Sequence, residues 1–432
     1  MSEAPAPSER PALPAASPPA PGRRLRERAQ RAASIEDLRR QAARMLPRAV
    51  FDFYDGGAET ESTLRANRAA FEAVQLLPRY LVDVSRIETG TRLLGQPAAL
   101  PLAVAPTGAI GYGWPFGDVA IARAAGEAGV PYALPTSATS SIERVAREAP
   151  HTQLWFQSYM LRKRDFTFGL IERARQAGYQ ALIITIDMPT GGKRERDLRN
   201  DFGLPFRYTP RNVLDFASRP GWVARQLRHG LPALENMAGF VPDAVDASTI
   251  ASSVGKNYDP AFVWEDLRRI RDRWPGPLLI KGVLHPEDAR RAAELGADAV
   301  IVSNHGGRQL DGAAAALQAL PAVAQAVGDR LQVLVDGGVR RGADIVKALA
   351  LGADAVMVGR PMLYGVSAAG QAGAERALFL LREELVRALR LTGVADVSRI
   401  DGSVLFRGPG AAAQACGIHD AISAAGSIKP AA

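Results

Sequence analysis

The chain has 432 residues, of which 47% are hydrophobic, 6% aromatic and 23% charged, the balance of a soluble globular protein. The formal net charge is +8, but the sequence contains no run of basic residues interleaved with aromatic residues, so a nucleic-acid partner is not expected. The single cysteine, Cys416, excludes a disulfide framework within the chain and suits a reducing cytoplasm. No spacing of His, Cys or carboxylate residues indicates a metal site.

The first segment, residues 1–31, is rich in proline and alanine and contains almost no large apolar residue. Such a composition buries too little surface to order a chain, so we expect a disordered tail. The segment lacks the continuous apolar stretch of a secretory signal, and no run of about 18 apolar residues occurs elsewhere. We therefore expect neither export by that route nor a membrane-spanning helix.

Beyond this segment the chain alternates short apolar runs with amphipathic stretches. The runs are apolar on consecutive residues, which is typical of parallel strands covered on both faces. Eight such runs are predicted as strands, at residues 101–105, 130–134, 152–156, 181–185, 277–280, 298–302, 331–335 and 354–358. Helices are predicted between them, among others at residues 116–128, 165–177, 286–295 and 342–351.

Eight strand–helix units indicate an α/β fold of the (β/α)8 TIM-barrel type. The barrel is expected over residues 32–395, with a long insertion at about residues 190–262 between strands four and five and a C-terminal tail at residues 396–432. An open doubly wound sheet is the alternative. Polar residues at the strand ends favour the barrel, where they converge on one face: Thr107, Gln157, Thr185, Asp187, Lys281, Ser303, His305, Asp336 and Arg360.

The run Ser303-Asn304-His305-Gly306-Gly307-Arg308-Gln309 follows the sixth predicted strand and places a base beside an anion clamp. An imidazole that titrates near neutrality can remove a proton, and a guanidinium can hold a carboxylate by two parallel hydrogen bonds. Together they indicate chemistry at the carbon next to a carboxylate.

Glycine and arginine follow each of the last two predicted strands. In Asp336-Gly337-Gly338-Val339-Arg340 and in Gly359-Arg360, glycines let backbone N–H groups approach an anion that the arginines neutralise. Barrels commonly bind a phosphate at this position.

These motifs resemble the FMN-dependent 2-hydroxy acid oxidoreductases, a family that includes glycolate oxidase, lactate oxidase and mandelate dehydrogenase. The resemblance runs from about residue 46 to 384. It includes the run from Ser303 to Gln309, the Ala105-Pro106-Thr107-Gly108 and Trp155-Phe156-Gln157-Ser158-Tyr159 motifs, and Arg194-Glu195-Arg196-Asp197-Leu198. The Gly113-Trp114-Pro115 and Arg228-His229-Gly230-Leu231-Pro232 motifs are most similar to the membrane-associated mandelate dehydrogenase subfamily.

The resemblance implies an FMN cofactor and oxidation of an (S)-2-hydroxy acid to the 2-oxo acid. It implies that His305 is the base with Asp187 as its partner, and that Arg194, Arg308 and Tyr159 bind the substrate. It further implies FMN contacts from Pro106, Thr107, Gly108, Gln157, Thr185, Lys281, Ser303, Asp336, Gly337, Gly338, Arg340, Gly359 and Arg360. A cation at Lys281 can stabilise the negative charge of the reduced flavin ring.

Three positions depart from the family pattern. Phe53 stands where the family has a tyrosine that donates to the substrate carboxylate, so that donor is missing unless Tyr54 replaces it. Pro135 stands at the position of a flavin-contacting serine, for which Thr136 is the available substitute. Ser137 replaces a large aromatic residue of glycolate oxidase, which predicts a more open pocket and a bulky 2-hydroxy acid.

Within the insertion, apolar and arginine residues alternate over residues 211–248, which suits a peripheral membrane anchor or a lid over the barrel mouth. An anchor would imply a membrane quinone as electron acceptor; oxygen is the alternative. The resemblance also implies a homotetramer. Two non-oxidative alternatives stay open: an FMN isomerase, and a flavin protein that has lost catalysis.

Overall fold

A computed structural model describes residues 17–202, 209–238, 240 and 257–406, without the side chains of residues 211 and 212. Eight parallel strands form a closed barrel, which excludes the open sheet. A small hairpin of β1 (Thr91–Leu93) and β2 (Gln96–Ala98) precedes the barrel. The barrel strands follow one another in chain order: β3 (Leu102–Val104), β4 (Tyr132–Pro135), β5 (Leu154–Tyr159), β6 (Ala181–Thr185), β7 (Leu278–Val283), β8 (Ala299–Val302), β9 (Gln332–Val335) and β10 (Ala355–Val358).

The strands are apolar on consecutive residues because both of their faces are buried. Alternate side chains fill the barrel interior, including Trp155, Ile183, Leu279 and Met357. The other side chains face the surrounding helices. Each predicted strand overlaps an observed one, so the (β/α)8 prediction is confirmed.

The α-helices of the described residues surround the barrel and cover its mouth. In chain order they are α1 (Arg23–Gln30), α2 (Ile35–Met45), α3 (Arg48–Asp55), α4 (Ser62–Ala73), α5 (Gly117–Glu127), α6 (Ile142–Glu148), α7 (Arg164–Gln176), α8 (Glu195–Arg199), α9 (Pro210–Ala217), α10 (Pro220–His229), α11 (Trp264–Arg273), α12 (Pro286–Glu294), α13 (Ala316–Val327), α14 (Gly342–Ala350) and α15 (Arg360–Thr392).

Order in the N-terminal segment begins at an earlier residue than the composition predicts. A disordered tail as far as residue 31 is wrong for α1, in which Ala29 is fully buried and Leu25 packs against the main core. The segment before α1 also docks, because the indole N–H of Trp114 donates to the carbonyl of Pro19 (3.1 Å). Residues 1–16 lie outside the described residues. Leu25 and Ala29 suffice to order this helix because α15 supplies the surface that they cover.

The first part of the C-terminal region is likewise bound to the rest of the protein. Residues up to 406 return to the N-terminal half, where the amide of Leu77 donates to the carbonyl of Val404 (2.8 Å) and the amide of Phe406 donates to Gln75 (2.9 Å). Cys416 and the rest of residues 407–432 lie outside the described residues.

The insertion between β6 and β7 holds α8, α9 and α10 and packs partly inward. Trp222 stacks on Phe216 (5.3 Å between ring centroids) and donates to the carbonyl of Tyr112 (2.7 Å). Leu214 and Leu227 remain exposed. The insertion therefore combines a covered inner face with an apolar outer face. Among the helices described, none is long and apolar enough to cross a bilayer.

Candidate active site

A cavity of about 270 Å³ opens at the carboxyl ends of the barrel strands. Most of the residues predicted to form the site line it, namely Phe53, Pro106, Thr107, Gly108, Tyr159, Arg194, Lys281, His305, Arg308, Asp336, Gly337, Gly338, Arg340, Gly359 and Arg360. Asp187, Gln157, Thr185 and Ser303 do not line it and lie behind that layer. The fold thus collects one reactive centre from strand ends far apart in the sequence.

His305 and Asp187 form a hydrogen-bonded pair at the cavity wall. Nδ1 of His305 lies 2.9 Å from Oδ1 of Asp187. Burial by itself raises the pKa of Asp187, but the imidazole of His305 and the ammonium of Lys281 lower it below its ordinary value. A carboxylate that stays ionised keeps the proton of the neutral imidazole on Nδ1. Nε2, which lies 3.4 Å from the hydroxyl of Tyr159, is then free to accept a proton.

The turn that carries His305 is held in an uncommon backbone conformation. His305 has a φ of 57°, a left-handed value that residues with a side chain rarely adopt. Its amide donates to Oγ of Ser303 (3.0 Å), which also accepts from Nζ of Lys281 (2.8 Å). The turn is fixed further by Asn304 and Asn67, whose side-chain amides exchange two hydrogen bonds of 2.8 Å. Ser303 and Lys281 therefore help to orient the imidazole.

Two guanidinium groups lie on the ring of Phe53. Cζ of Arg194 is 5.4 Å and Cζ of Arg308 is 5.3 Å from the ring centroid. Arg308 donates through Nη1 to the carbonyls of Phe53 (2.8 Å) and Gly56 (2.9 Å), whereas Arg194 pairs with Asp197 (3.1 Å). Burial, followed by repulsion from Arg194 and Arg360, lowers the pKa of Arg308 to about 9. Positive charge therefore exceeds negative charge in this corner of the cavity. An anion that enters the cavity would stabilise the two guanidinium groups.

A second positive region lies where β9 and β10 end. Burial and the nearby cations Arg360 and Arg68 lower the pKa of Arg340. Gly337 and Gly338 have φ values of 84° and 106°, and a Cβ on Gly338 would lie 2.5 Å from the carbonyl oxygen of Asn67. Only glycine fits such a turn, which lets the backbone approach a bound group closely.

Sequence reasoning gave no role to several residues that build this site. Gln309 donates to the carbonyls of Asp187 (2.9 Å) and Thr190 (2.8 Å) and accepts from the amide of Gly192 (2.9 Å), so it ties together the two loops that carry His305 and Asp187. Its place in the motif after His305 was the available signal. Asn67 lies in an ordinary helical pattern and carried no such signal.

Comparisons with known proteins agree with this geometry. A model of the family described as FMN-dependent dehydrogenase matches residues 42–407. The chain belongs to the FMN-dependent dehydrogenase family.

Individual relatives cover nearly the same region. The chain is 44% identical over 375 residues to an L-lactate dehydrogenase of Caulobacter sp. (strain K31), which covers 87% of this chain and 98% of that protein. It is 42% identical over 373 residues to the (S)-mandelate dehydrogenase of Pseudomonas putida. This match covers 86% of this chain and 93% of that protein. A crystal structure of monotopic membrane protein (S)-mandelate dehydrogenase superposes with a TM-score of 0.84 at 41% identity, over 87% of this chain and 99% of that one.

The residues present fit the FMN that the family requires. Among the described residues, four buried oxygens around the cavity have no hydrogen-bond partner: Oγ1 of Thr107, Oε1 of Gln157, Oδ2 of Asp187 and Oδ1 of Asp336. Unsatisfied buried polar atoms are rare, and a polar ligand can satisfy them. Lys281, paired with Asp336 (3.0 Å), is buried and positively charged. Burial alone lowers its pKa, but Asp336 and Asp187 raise it above the ordinary value.

Two substitutes considered for the departures from the family pattern are wrong. The hydroxyl of Tyr54 donates to the carbonyls of Ala109 (2.7 Å) and Ile110 (3.1 Å), so it cannot replace the phenol missing at Phe53. The hydroxyl of Thr136 donates to the carbonyl of Gln157 (2.9 Å) and accepts from the amide of Tyr159 (3.2 Å), so it is already engaged and does not replace a serine at Pro135. Ser137 does line the cavity.

We expect the Arg340→Gln variant to bind FMN about ten- to a hundredfold more weakly, because a charge-assisted hydrogen bond contributes about 1.5–3 kcal/mol. The dissociation constant is measured by flavin fluorescence on dilution of the holoenzyme. Arg341→Gln is the matched control, since Arg341 is more exposed and pairs with Glu384 (3.0 Å). Equal FMN affinity in the wild type and Arg340→Gln would rule out a phosphate contact.

Proposed function

We propose that this enzyme oxidises an (S)-2-hydroxy acid to the 2-oxo acid. The observation that carries the proposal is the placement of the free Nε2 of His305 on the same cavity as the guanidinium groups of Arg194 and Arg308. A proton acceptor and a carboxylate clamp on one wall suit a substrate that carries its reacting carbon next to a carboxylate.

Each residue has one task in this reaction. Arg308 and Arg194 bind the carboxylate and so fix the 2-carbon, Tyr159 donates to the substrate hydroxyl oxygen, and Nε2 of His305 accepts a proton. Asp187 stabilises the imidazolium that forms. FMN, when bound, would take up the two electrons and the second proton that the substrate loses on becoming the 2-oxo acid. Gln157, Thr185, Lys281 and Ser303 would contact its ring or ribityl chain, and Arg340 and Arg360 its phosphate.

The lining of the cavity favours a bulky side chain on the substrate. Beside the arginines it includes the apolar residues Met188 and Leu234, and the small Ser137, packed next to Gly108, stands where glycolate oxidase has a large aromatic residue. An aromatic 2-hydroxy acid such as (S)-mandelate uses this surface better than glycolate does. (S)-lactate is the second candidate, because relatives of equal similarity are L-lactate dehydrogenases.

Anaerobic addition of 2-hydroxy acids to the purified holoenzyme tests this proposal. We expect (S)-mandelate to bleach the oxidised flavin band roughly tenfold or more faster than glycolate, since one apolar contact discriminates by about 1–3 kcal/mol. (R)-mandelate should leave the band unchanged. A flavin that none of these acids reduces would contradict the proposal and favour a non-oxidative FMN protein, as in the isomerase-like or inactive alternatives.

We further propose that the enzyme acts as a homotetramer at the cytoplasmic face of the inner membrane and passes electrons to a quinone. The exposed Leu214 and Leu227 on α9 and α10, with Leu231 just beyond, form an apolar surface of the insertion, and Arg228 lies among them. Apolar residues beside arginines suit the interface of an anionic bilayer. Transfer to oxygen is the alternative and would need no such surface.

The double variant Leu214→Ser and Leu227→Ser tests the membrane contact. Each leucine contributes about 1.5–3 kcal/mol when buried in an apolar medium, so we expect binding to vesicles of anionic phospholipid to weaken at least about tenfold. Co-sedimentation gives the partition coefficient. Leu391→Ser, an exposed leucine of α15, is the control and should bind as the wild type does. Equal binding of all three proteins would exclude this surface.

A further inference from the structure

The two arginines of the carboxylate clamp spend part of their donors on the protein itself. Arg308 uses Nη1 on two backbone carbonyls, and Nε of Arg194 is paired with Asp197. Phe53, on which both guanidinium groups lie, offers no donor. A phenol near Arg194 would add a neutral donor to the charged ones.

Among the residues that the structure describes, four tyrosines line the cavity, and three of them are unsuited to this role. Tyr54 has spent its hydroxyl on two carbonyls, and the hydroxyl of Tyr159 faces Nε2 of His305. The ring of Tyr112 packs edge-on against Phe202 (6.1 Å between centroids) and, among the described residues, makes no ring contact with Tyr159 or His305. Tyr112 is therefore not part of the ring cluster around the base.

Tyr258 is the remaining tyrosine, and its phenol lies among the charges of the site. Its ring packs on Tyr159, with centroids 5.2 Å apart, and the residue is 8% exposed. Burial raises its pKa, Tyr159 and Asp187 raise it further, and Arg194 opposes them. The hydroxyl has no hydrogen-bond partner within the described part of the chain. Because Tyr258 lines the cavity, a hydroxyl without a partner there is available to a ligand.

The backbone around Tyr258 holds the ring in place. Tyr258 forms a β-bridge with Leu161, just beyond the strand that carries Tyr159. The amide of Asp259 donates to the carbonyl of Met160 (3.0 Å), and the side chain of Asp259 accepts from Nε of Arg164 (2.9 Å). The end of the insertion is thus fastened to the segment that follows β5, which lowers the cost of ordering the ring when a substrate binds.

We propose that Tyr258 is a substrate-binding residue that donates its phenolic O–H to the substrate carboxylate beside Arg194. This assignment rests on the proposed function, because it needs a carboxylate held by the two arginines. It replaces, from the end of the insertion between β6 and β7, the donor that Phe53 cannot supply.

The Tyr258→Phe variant tests the assignment, since it removes the hydroxyl and keeps the ring that packs on Tyr159. We expect kcat/KM for (S)-mandelate to fall about ten- to a hundredfold, mainly through KM, as for the loss of one charge-assisted hydrogen bond. Phenylacetate, which has the carboxylate and lacks the 2-hydroxyl, should lose affinity by the same factor. Its dissociation constant is measured by perturbation of the flavin absorbance.

Tyr132→Phe is the matched control, because Tyr132 is a buried tyrosine of β4 that does not line the cavity. It should leave both constants unchanged. The melting temperature and FMN content of each variant establish that it is folded.

Two results would overturn the assignment. Unchanged phenylacetate affinity in Tyr258→Phe would show that the phenol does not touch the carboxylate, even if turnover of mandelate fell. Equal effects of Tyr132→Phe and Tyr258→Phe would show a loss of packing in general. Failure of the proposed function has a different signature: the wild-type holoenzyme would bind no phenylacetate and no 2-hydroxy acid would reduce its flavin.

Discussion

The hydrogen bond between His305 and Asp187 is the interaction around which the barrel mouth is arranged. The two residues follow β8 and β6, which are separated in the barrel by β7. The bond can cross β7 because Gly282, at a register shift in that strand, has a φ of 100° and no side chain. A Cβ on Gly282 would lie 2.6 Å from Cβ of Asp187. The left-handed backbone of His305 then brings the imidazole towards the carboxylate from the other side.

A buried charge network fixes the second half of the site relative to the first. Asp55, at the end of α3, accepts hydrogen bonds from Arg39 (2.6 and 2.9 Å), Arg196 (3.0 Å) and Tyr364 (2.7 Å). Burial raises the pKa of Asp55, but these partners, Arg39 first, lower it below its ordinary range. Asp55 stays ionised and links α3, which carries Phe53, to the loop of Arg194. The segments that hold the carboxylate clamp are therefore positioned by ion pairs and not by the barrel alone.

The sequence predicted those parts of the structure that depend on local pattern. Strands such as β6 were found because consecutive apolar residues are typical of a strand buried on both faces, and His305 was found because it follows such a strand. Contacts between distant segments could not be read in this way. The helix α1 forms because α15 covers Leu25 and Ala29, and the commitment of Tyr54 to two carbonyls depends on a loop more than 50 residues away.

The same limit applies within the site. Tyr258 carries no motif, and its relation to Arg194 becomes visible only when the end of the insertion is placed against β5. The stacking of both arginines on Phe53 is also a tertiary feature. Residues that follow a strand end could be assigned from sequence, whereas a residue that supports them from a neighbouring helix, such as Asn67, could not.

The claim that His305 and Asp187 act as one proton-accepting unit is tested most directly by a double-mutant cycle. The rate of flavin reduction by (S)-mandelate without oxygen is measured for His305→Asn, Asp187→Asn and the double variant, with asparagine at position 305 because it tolerates a positive φ. If the pair acts as a unit, each single change lowers the rate by about two to four orders of magnitude, and the double variant is scarcely slower than the slower single one. Single effects that multiply in the double variant, or an Asp187→Asn enzyme that binds FMN and keeps the wild-type rate, would contradict this account.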